Sequence, residues 1–160
     1  MNITYVILGS NLGDRLANLQ KAKDMLETTG MILLSSAVYD TEPWGFVHKN
    51  SFLNQVITLQ TNLTPFDLLK RIQEIELSLG RTREGVGYIA RTIDIDILFY
   101  EDIIINTPEL RIPHPAISER RFVLTPLCEI APDLKHHESN KTIRQLLEEC
   151  EDNLTVSRYL

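Results

Sequence analysis

The sequence predicts an α+β fold, an antiparallel sheet with helices packed on it. Several segments alternate polar and apolar residues at the period of a strand, most clearly over residues 92–100. Two longer segments lie between them and have the start and stop signals of helices. Over the first hundred residues the order is β-α-β-β-α-β.

Residues 2–8 read as a buried first strand. Gly9-Ser10-Asn11-Leu12-Gly13-Asp14 is a turn, and a helix follows to about residue 29. Leu12, Leu16, Leu19, Lys23 and Leu26 trace its core-facing stripe, with Lys23 the polar exception. Gly30 is expected to end that helix. Residues 31–40 read as a second strand, 41–51 as an aromatic-rich loop and 52–60 as a third strand. Thr64-Pro65-Phe66-Asp67 combines a cap, a proline at the first helical position and an early acid. The helix it starts runs to about Leu79 and stops at Gly80.

Residues 81–90 form a loop with glycines at 85 and 87, and the fourth strand follows. A short strand pair is expected around 103–112. Ser118 is expected to cap a helix through Ile130, stopped by Pro132. A last helix spans about 142–150, and a short strand closes the chain. The pattern is that of a ferredoxin-like antiparallel sheet, expected here as a three-layer αβα arrangement. No internal repeat or boundary divides the chain, so residues 1–160 are expected to form one domain.

Composition narrows the function classes. A net charge of −6 argues against a general nucleic-acid binder. The amino terminus lacks the basic region of a signal peptide, and no apolar run is long enough to span a membrane. Cys128 and Cys150 lack metal-ligand spacing, which fits a reduced, cytoplasmic setting. Nothing suggests an obligate protein partner, so a monomer is expected.

Positive charge is unevenly distributed. Between residues 72 and 134 every positive charge is arginine: Arg81, Arg83, Arg91, Arg111, Arg120 and Arg121. Arginine binds phosphate oxygens with a rigid planar fork. The segment therefore reads either as a local phosphate site or as scattered surface charge.

In the strand over 92–100, Ile93, Ile95 and Ile97 share one face and Thr92, Asp94 and Asp96 the other. Carboxylates one pleat apart lie roughly 7 Å apart at their Cα atoms. Such a pair suits hard cations such as Mg²⁺, which also take substrate phosphates. A strand with a solvated face would show the same spacing. The glycine turn lacks the Gly-Lys-Ser/Thr of a phosphate loop, so a tight strand-to-helix connection is the simpler reading.

Gln73 and Glu76 are three apart on the second helix, facing either this site or solvent. His114, held between Pro113 and Pro115, is either a phosphate donor or a structural turn residue. Asn54 is unusual inside an apolar strand. A flat heterocycle could stack on Phe52 or Phe122 and be read by the Asn54 amide, unless both rings only fill the core.

The ordered set of these motifs resembles the 6-hydroxymethyl-7,8-dihydropterin pyrophosphokinase family of folate biosynthesis. The resemblance covers nearly the whole chain and rests first on Gly9-Ser10-Asn11-Leu12-Gly13, Tyr39-x-Thr41-x-Pro43 and Phe52-Leu53-Asn54. Glu76-x-x-x-Gly80-Arg81-x-Arg83 and Arg91-Thr92-x-Asp94-x-Asp96-x-Leu98 continue it. Pro113-His114-Pro115 and Arg120-x-Phe122-Val123-Leu124-x-Pro126-Leu127 complete it.

The resemblance implies pyrophosphate transfer from ATP, as co-substrate, to the pterin hydroxymethyl group, with release of AMP. Asp94 and Asp96 would bind two Mg²⁺ ions and contribute to catalysis with the mobile arginines Arg81 and Arg91. Gln73, Glu76, Arg83, Arg91, Ile97, Arg111, His114 and Arg120 would surround ATP. Thr41, Pro43, Trp44, Phe52, Asn54, Asp94 and Phe122 would form the pterin pocket. The family often has Trp-Gly-Pro before the arginine matched by Arg91, where this chain has Tyr88-Ile89-Ala90. Glu84 and Gly87 stand where several members carry basic residues. Tyr88 is expected to stack less extensively than tryptophan.

Two other readings use parts of the same pattern. A metal-dependent nucleotidyltransferase also uses an acidic pair on a strand but releases pyrophosphate rather than AMP. A non-enzymatic ferredoxin-like ligand-binding module needs neither the acids nor the arginines.

Overall fold

The computed structural model describes residues 1–41, 51–80 and 92–160. The elements are β1 (Asn2–Ser10), α1 (Arg15–Leu26), β2 (Gly30–Ser35), β3 (Tyr39–Thr41), β4 (Phe52–Thr61), α2 (Pro65–Ser78) and β5 (Asp94–Tyr100). They continue with β6 (Ile105–Asn106), β7 (Arg111–Ile112), α3 (Arg121–Ile130), β8 (Lys135–His136), β9 (Lys141–Thr142), α4 (Ile143–Glu149) and β10 (Val156–Arg158).

The main sheet runs β10-β3-β4-β1-β5, with β2 paired to the far end of β4, and its pairings are antiparallel. Side chains alternate across it into two cores. Val6 and Leu8 of β1, with Leu53, Ile57, Ile95 and Ile97, pack beneath α1 and α2. Ile7, Val56, Leu98 and Phe99 pack beneath α3 and α4. The three-layer αβα expectation is met. Ile93, Ile95 and Ile97 share one core, as their alternation requires.

β5 contains a bulge. Val6 faces Ile97 and Tyr5 faces Phe99, so Leu98 is an extra residue. Leu98 and Phe99 consequently both enter the α3/α4 core, while Tyr100 returns to the other face.

Four expectations change. The stretch 31–40 is two strands. At the break, the amide N–H of Val56 donates to Ser36 Oγ at 3.0 Å and the Gln55 side chain donates to the Ser36 carbonyl at 2.8 Å. A side-chain hydroxyl thus takes the place of a ladder acceptor.

Helix α1 begins at Arg15, capped by Asp14, which accepts from the Ala17 amide at 3.1 Å. Leu12 therefore lies in the turn, and Ala22 joins Leu19 and Leu26 in the core while Lys23 stays half-exposed. Gly30 opens β2 instead of ending α1. It lies against β4, where a Cβ would stand 2.0 Å from the Gln60 carbonyl oxygen. Close backbone approach is the reason for this glycine.

Ser118 lies in a short 3₁₀ turn, Ile117–Glu119, and does not cap α3. Asp152 instead accepts from the Arg121 amide at 3.0 Å, a cap supplied by the far end of the chain. The Arg121 guanidinium donates to the carbonyls of Asp152 and Cys150, both at 2.9 Å. Arg121 is therefore a clasp for the C-terminal segment. The expected Gly80 stop holds, with φ +96° just beyond the α2 cap residue Leu79.

His136 is buried, edge-on to Phe99 with 6.1 Å between ring centroids. Burial holds its pKa below the ordinary 6.5, with Glu138 opposing and His137 adding to the effect. The folded state thus binds the proton less well than the unfolded chain. Stability should be full above about pH 6.5 and fall as pH drops below it. Urea unfolding at pH 7.5 and 5.5 checks this, and His136→Phe should reduce the difference. Gly30→Ala should destabilise by about 1–3 kcal/mol in the same assay, because β4 backbone cannot move aside cheaply.

Candidate active site

Strand register assembles the site. Gly9 of β1 lies directly opposite Asn54 of β4 on one side and Asp94 of β5 on the other. Asn54 in turn faces Tyr39 of β3. Two residues along, Ile7 lies between Val56 and Asp96, and in the other direction Thr41 faces Phe52. Residues opposite one another share a face. Ile7 and Val56 lie in the α3/α4 core. Thr41, Phe52, Asn54, Asp94 and Asp96 therefore share that face, at the end of the sheet where β1 finishes.

The first turn of α3 brings Phe122 onto the same core. The Arg120 guanidinium lies 5.7 Å from the Phe122 ring centroid, in cation–π range. His114 donates its amide N–H to the carbonyl of Leu98, the bulge residue, at 3.0 Å. The Ala116 amide donates to His114 Nδ1 at 3.2 Å. The neutral ring therefore carries its proton on Nε2, free to donate elsewhere. Burial pushes the His114 pKa down, the Arg120 charge adds to this, and Asp94 opposes it. The environment of His114, between an acid and a guanidinium, favours the neutral ring.

Glu76 is buried at 7% exposure, and its Oε2 accepts the Ile95 amide N–H at 3.0 Å. Ile95 sits between the two aspartates, so Glu76 holds the acid-bearing strand at the edge of the sheet. Gln73 is half-buried one turn earlier on α2. Arg111 is exposed on β7. The Ile97 side chain is buried in the α1/α2 core, on the opposite face from Asp96.

On the other flank, Thr41 is 1% exposed, and its hydroxyl has no hydrogen-bond partner among the described residues. Asn54 is 4% exposed. Sequence reasoning passed over the support for this flank. Glu129 of α3 accepts from the Tyr39 hydroxyl at 2.6 Å and from the Ala37 amide at 3.0 Å. Burial and then this carboxylate push the Tyr39 pKa up to about 12. Only the presence of Tyr39 in the Tyr39-x-Thr41 motif hinted at it.

The glycine turn is the tight connection expected of it. Gly13 adopts φ +67°, and the Asn18 side-chain Nδ2 donates to Ser10 Oγ at 3.2 Å and the Leu12 carbonyl at 2.9 Å. Pro43, Trp44, Arg81, Arg83 and Arg91 lie outside the described residues, as do Glu84, Gly87 and Tyr88-Ile89-Ala90.

Glu76→Ala should lower unfolding stability by about 1–3 kcal/mol, because it strands the Ile95 amide. Glu76→Gln keeps an acceptor and should cost clearly less. Urea titration of the two variants separates a structural tether from a residue that matters only to ligand.

The family model described as 7,8-dihydro-6-hydroxymethylpterin-pyrophosphokinase matches residues 5–132. A 2-amino-4-hydroxy-6-hydroxymethyldihydropteridine pyrophosphokinase of Porphyromonas gingivalis is 47% identical over 136 residues, covering 82% of this chain and 92% of that protein. The enzyme of the same name from Bacillus subtilis is 43% identical over 136 residues, covering 84% of this chain and 81% of its own. Wild-type HPPK-DHPS of Plasmodium falciparum with pteroate superposes with TM-score 0.74 at 20% identity. The match covers 92% of this chain and 42% of that longer one, and it shows the shared fold. With the row of Asn54, Gly9 and Asp94 inside the matched span, the chain belongs to the 7,8-dihydro-6-hydroxymethylpterin-pyrophosphokinase family.

Proposed function

We propose that this chain transfers a pyrophosphoryl group from ATP to the hydroxymethyl oxygen of 6-hydroxymethyl-7,8-dihydropterin, releasing AMP, in folate synthesis. The observation that carries this is the shared sheet face of Asn54, Asp94 and Asp96, an amide that can read a heterocycle beside acids that can hold cations. The pterin lies between Phe52 and Phe122, with Asn54 and Thr41 reading its edge and Pro43 and Trp44 closing the pocket. ATP lies on the β5 side, near Gln73, Glu76, Arg111, His114 and Arg120, with Arg83 and Arg91 completing its contacts.

Asp94 and Asp96 fit Mg²⁺ by the chemistry of their donors. Both are half-buried carboxylates on one face, and Mg²⁺ takes one or two carboxylates with substrate phosphates as its remaining ligands. Two ions held there would supply positive charge against the phosphate oxygens.

The hydroxymethyl oxygen attacks the β-phosphorus in line and gives up its proton to solvent water or the Asp94 carboxylate, while the bond from that phosphorus to the α-phosphate oxygen breaks and AMP leaves. The residues act mainly by placement and charge. His114 Nε2–H and Arg120 donate to phosphate oxygens, while Arg81 and Arg91 neutralise charge on the transferred group. We read residues 1–160 as one pyrophosphokinase domain acting as a cytoplasmic monomer on small molecules, without nucleic-acid or membrane partners. The net charge of −6 and the two free cysteines support that setting, and no described helix is long and apolar enough to cross a membrane.

Incubation with ATP, Mg²⁺ and hydroxymethyldihydropterin should yield AMP, resolved by chromatography of the nucleotides. Asp96→Ala should lower kcat by about 10²–10³, the scale of losing a charge-stabilising group. Pterin-dependent release of pyrophosphate instead of AMP, or no AMP above a chelator control, would overturn the assignment.

A further inference from the structure

Gly9 stands in the middle of the site row and carries no side chain into it. A Cβ built there falls 2.6 Å from Asn54 Oδ1, far inside contact distance. The next neighbour, Phe52 Cδ1, would be 3.7 Å away, an ordinary van der Waals contact. Backbone conformation is not the reason for this glycine. Among the described residues the glycines with positive φ are Gly13 and Gly80. Gly9 is ordinary strand backbone, paired on both sides. A glycine inside a central strand weakens it and calls for a close approach by something else. Here that something is the carboxamide of Asn54, which occupies the space a methyl group would fill.

We propose that Gly9 is a positioning residue for pterin recognition. Its missing side chain lets the Asn54 amide lean over β1 toward Asp94, and this placement sets pterin affinity without altering ATP affinity. The inference rests on the reading of Asn54 as the pterin-binding amide. A methyl group at position 9 would push the amide away from the acid pair and misalign the recognised edge with the hydroxymethyl group that must reach the phosphate.

Calorimetry with hydroxymethyldihydropterin, in the presence of a non-hydrolysable ATP analogue, tests this. Gly9→Ala should weaken pterin binding roughly ten- to hundredfold. It should leave affinity for the ATP analogue within about twofold. In an Asn54→Ala background the methyl has no Oδ1 to displace, so adding Gly9→Ala should change pterin affinity less than about threefold. An unchanged pterin affinity in Gly9→Ala, an equal loss in both backgrounds or a parallel loss of nucleotide binding would overturn the inference. Should Gly9→Ala fail to fold, recovery of folding in the Gly9→Ala/Asn54→Ala chain supports the same steric conflict, and failure of both overturns it. If Asn54→Ala alone leaves pterin affinity unchanged, the site reading itself fails and the inference falls with it. If Asn54→Ala weakens binding and Gly9→Ala does not, the inference alone fails.

Discussion

The register of β1 between β4 and β5 is the constraint on which the rest depends. Gly9 opposite both Asn54 and Asp94 sets the amide and the acid on one face, with Ile7 carrying Val56 and Asp96 one step further in. A one-residue slip of either neighbour would turn its polar residues into the α1/α2 core and its apolar ones out. The two cores oppose such a slip. Val6, Leu8, Ile95 and Ile97 are held on one side, and Ile7 and Val56 on the other. Burial that stabilises the sheet is thus the same force that aims the site.

Being at the edge of the sheet, β5 needs partners for its outward polar groups. Glu76 accepts from the Ile95 amide, and the His114 amide donates to the carbonyl of the bulge residue Leu98. These bonds satisfy the edge and also bring His114 beside the acids. The bulge returns the strand to the α1/α2 core at Tyr100 after two consecutive residues on the α3 side. Structural satisfaction and placement of site groups are here one arrangement.

The α3 layer is anchored at both ends by polar ties. Glu129 holds Tyr39 and Ala37, and Asp152 with the Cys150 carbonyl holds Arg121. Phe122, in the first turn of α3, follows directly on the tied Arg121 and packs on the α3/α4 core. Thr41 and Asn54 occupy the same flank, beside Tyr39. The flank of Thr41 and Asn54 is therefore built by a helix-to-strand clamp, and the flank of Asp94 and Asp96 by the satisfied edge of β5.

Much of this was legible in the sequence because local chemistry decides it. The alternation of Ile93, Ile95 and Ile97 with Asp94 and Asp96 requires opposite faces in any strand. Thr64-Pro65 with Asp67 is a local helix-start signal, and Gly80 ends that helix without a Cβ penalty. Other features depend on what arrives from elsewhere in the chain. Gly30 looked like a helix stop, but the Gln60 carbonyl is what requires a glycine there. Ser118 looked like a cap, but Asp152 is the group that caps α3. The sequence alone determined most of the helices and strands, the carboxylate pair and the family resemblance, since these follow from nearest-neighbour geometry and motif order. Tertiary structure decided which residues stand opposite Gly9, which groups close the β5 edge and what anchors α3, because sheet register and long-range hydrogen bonds join residues far apart along the chain.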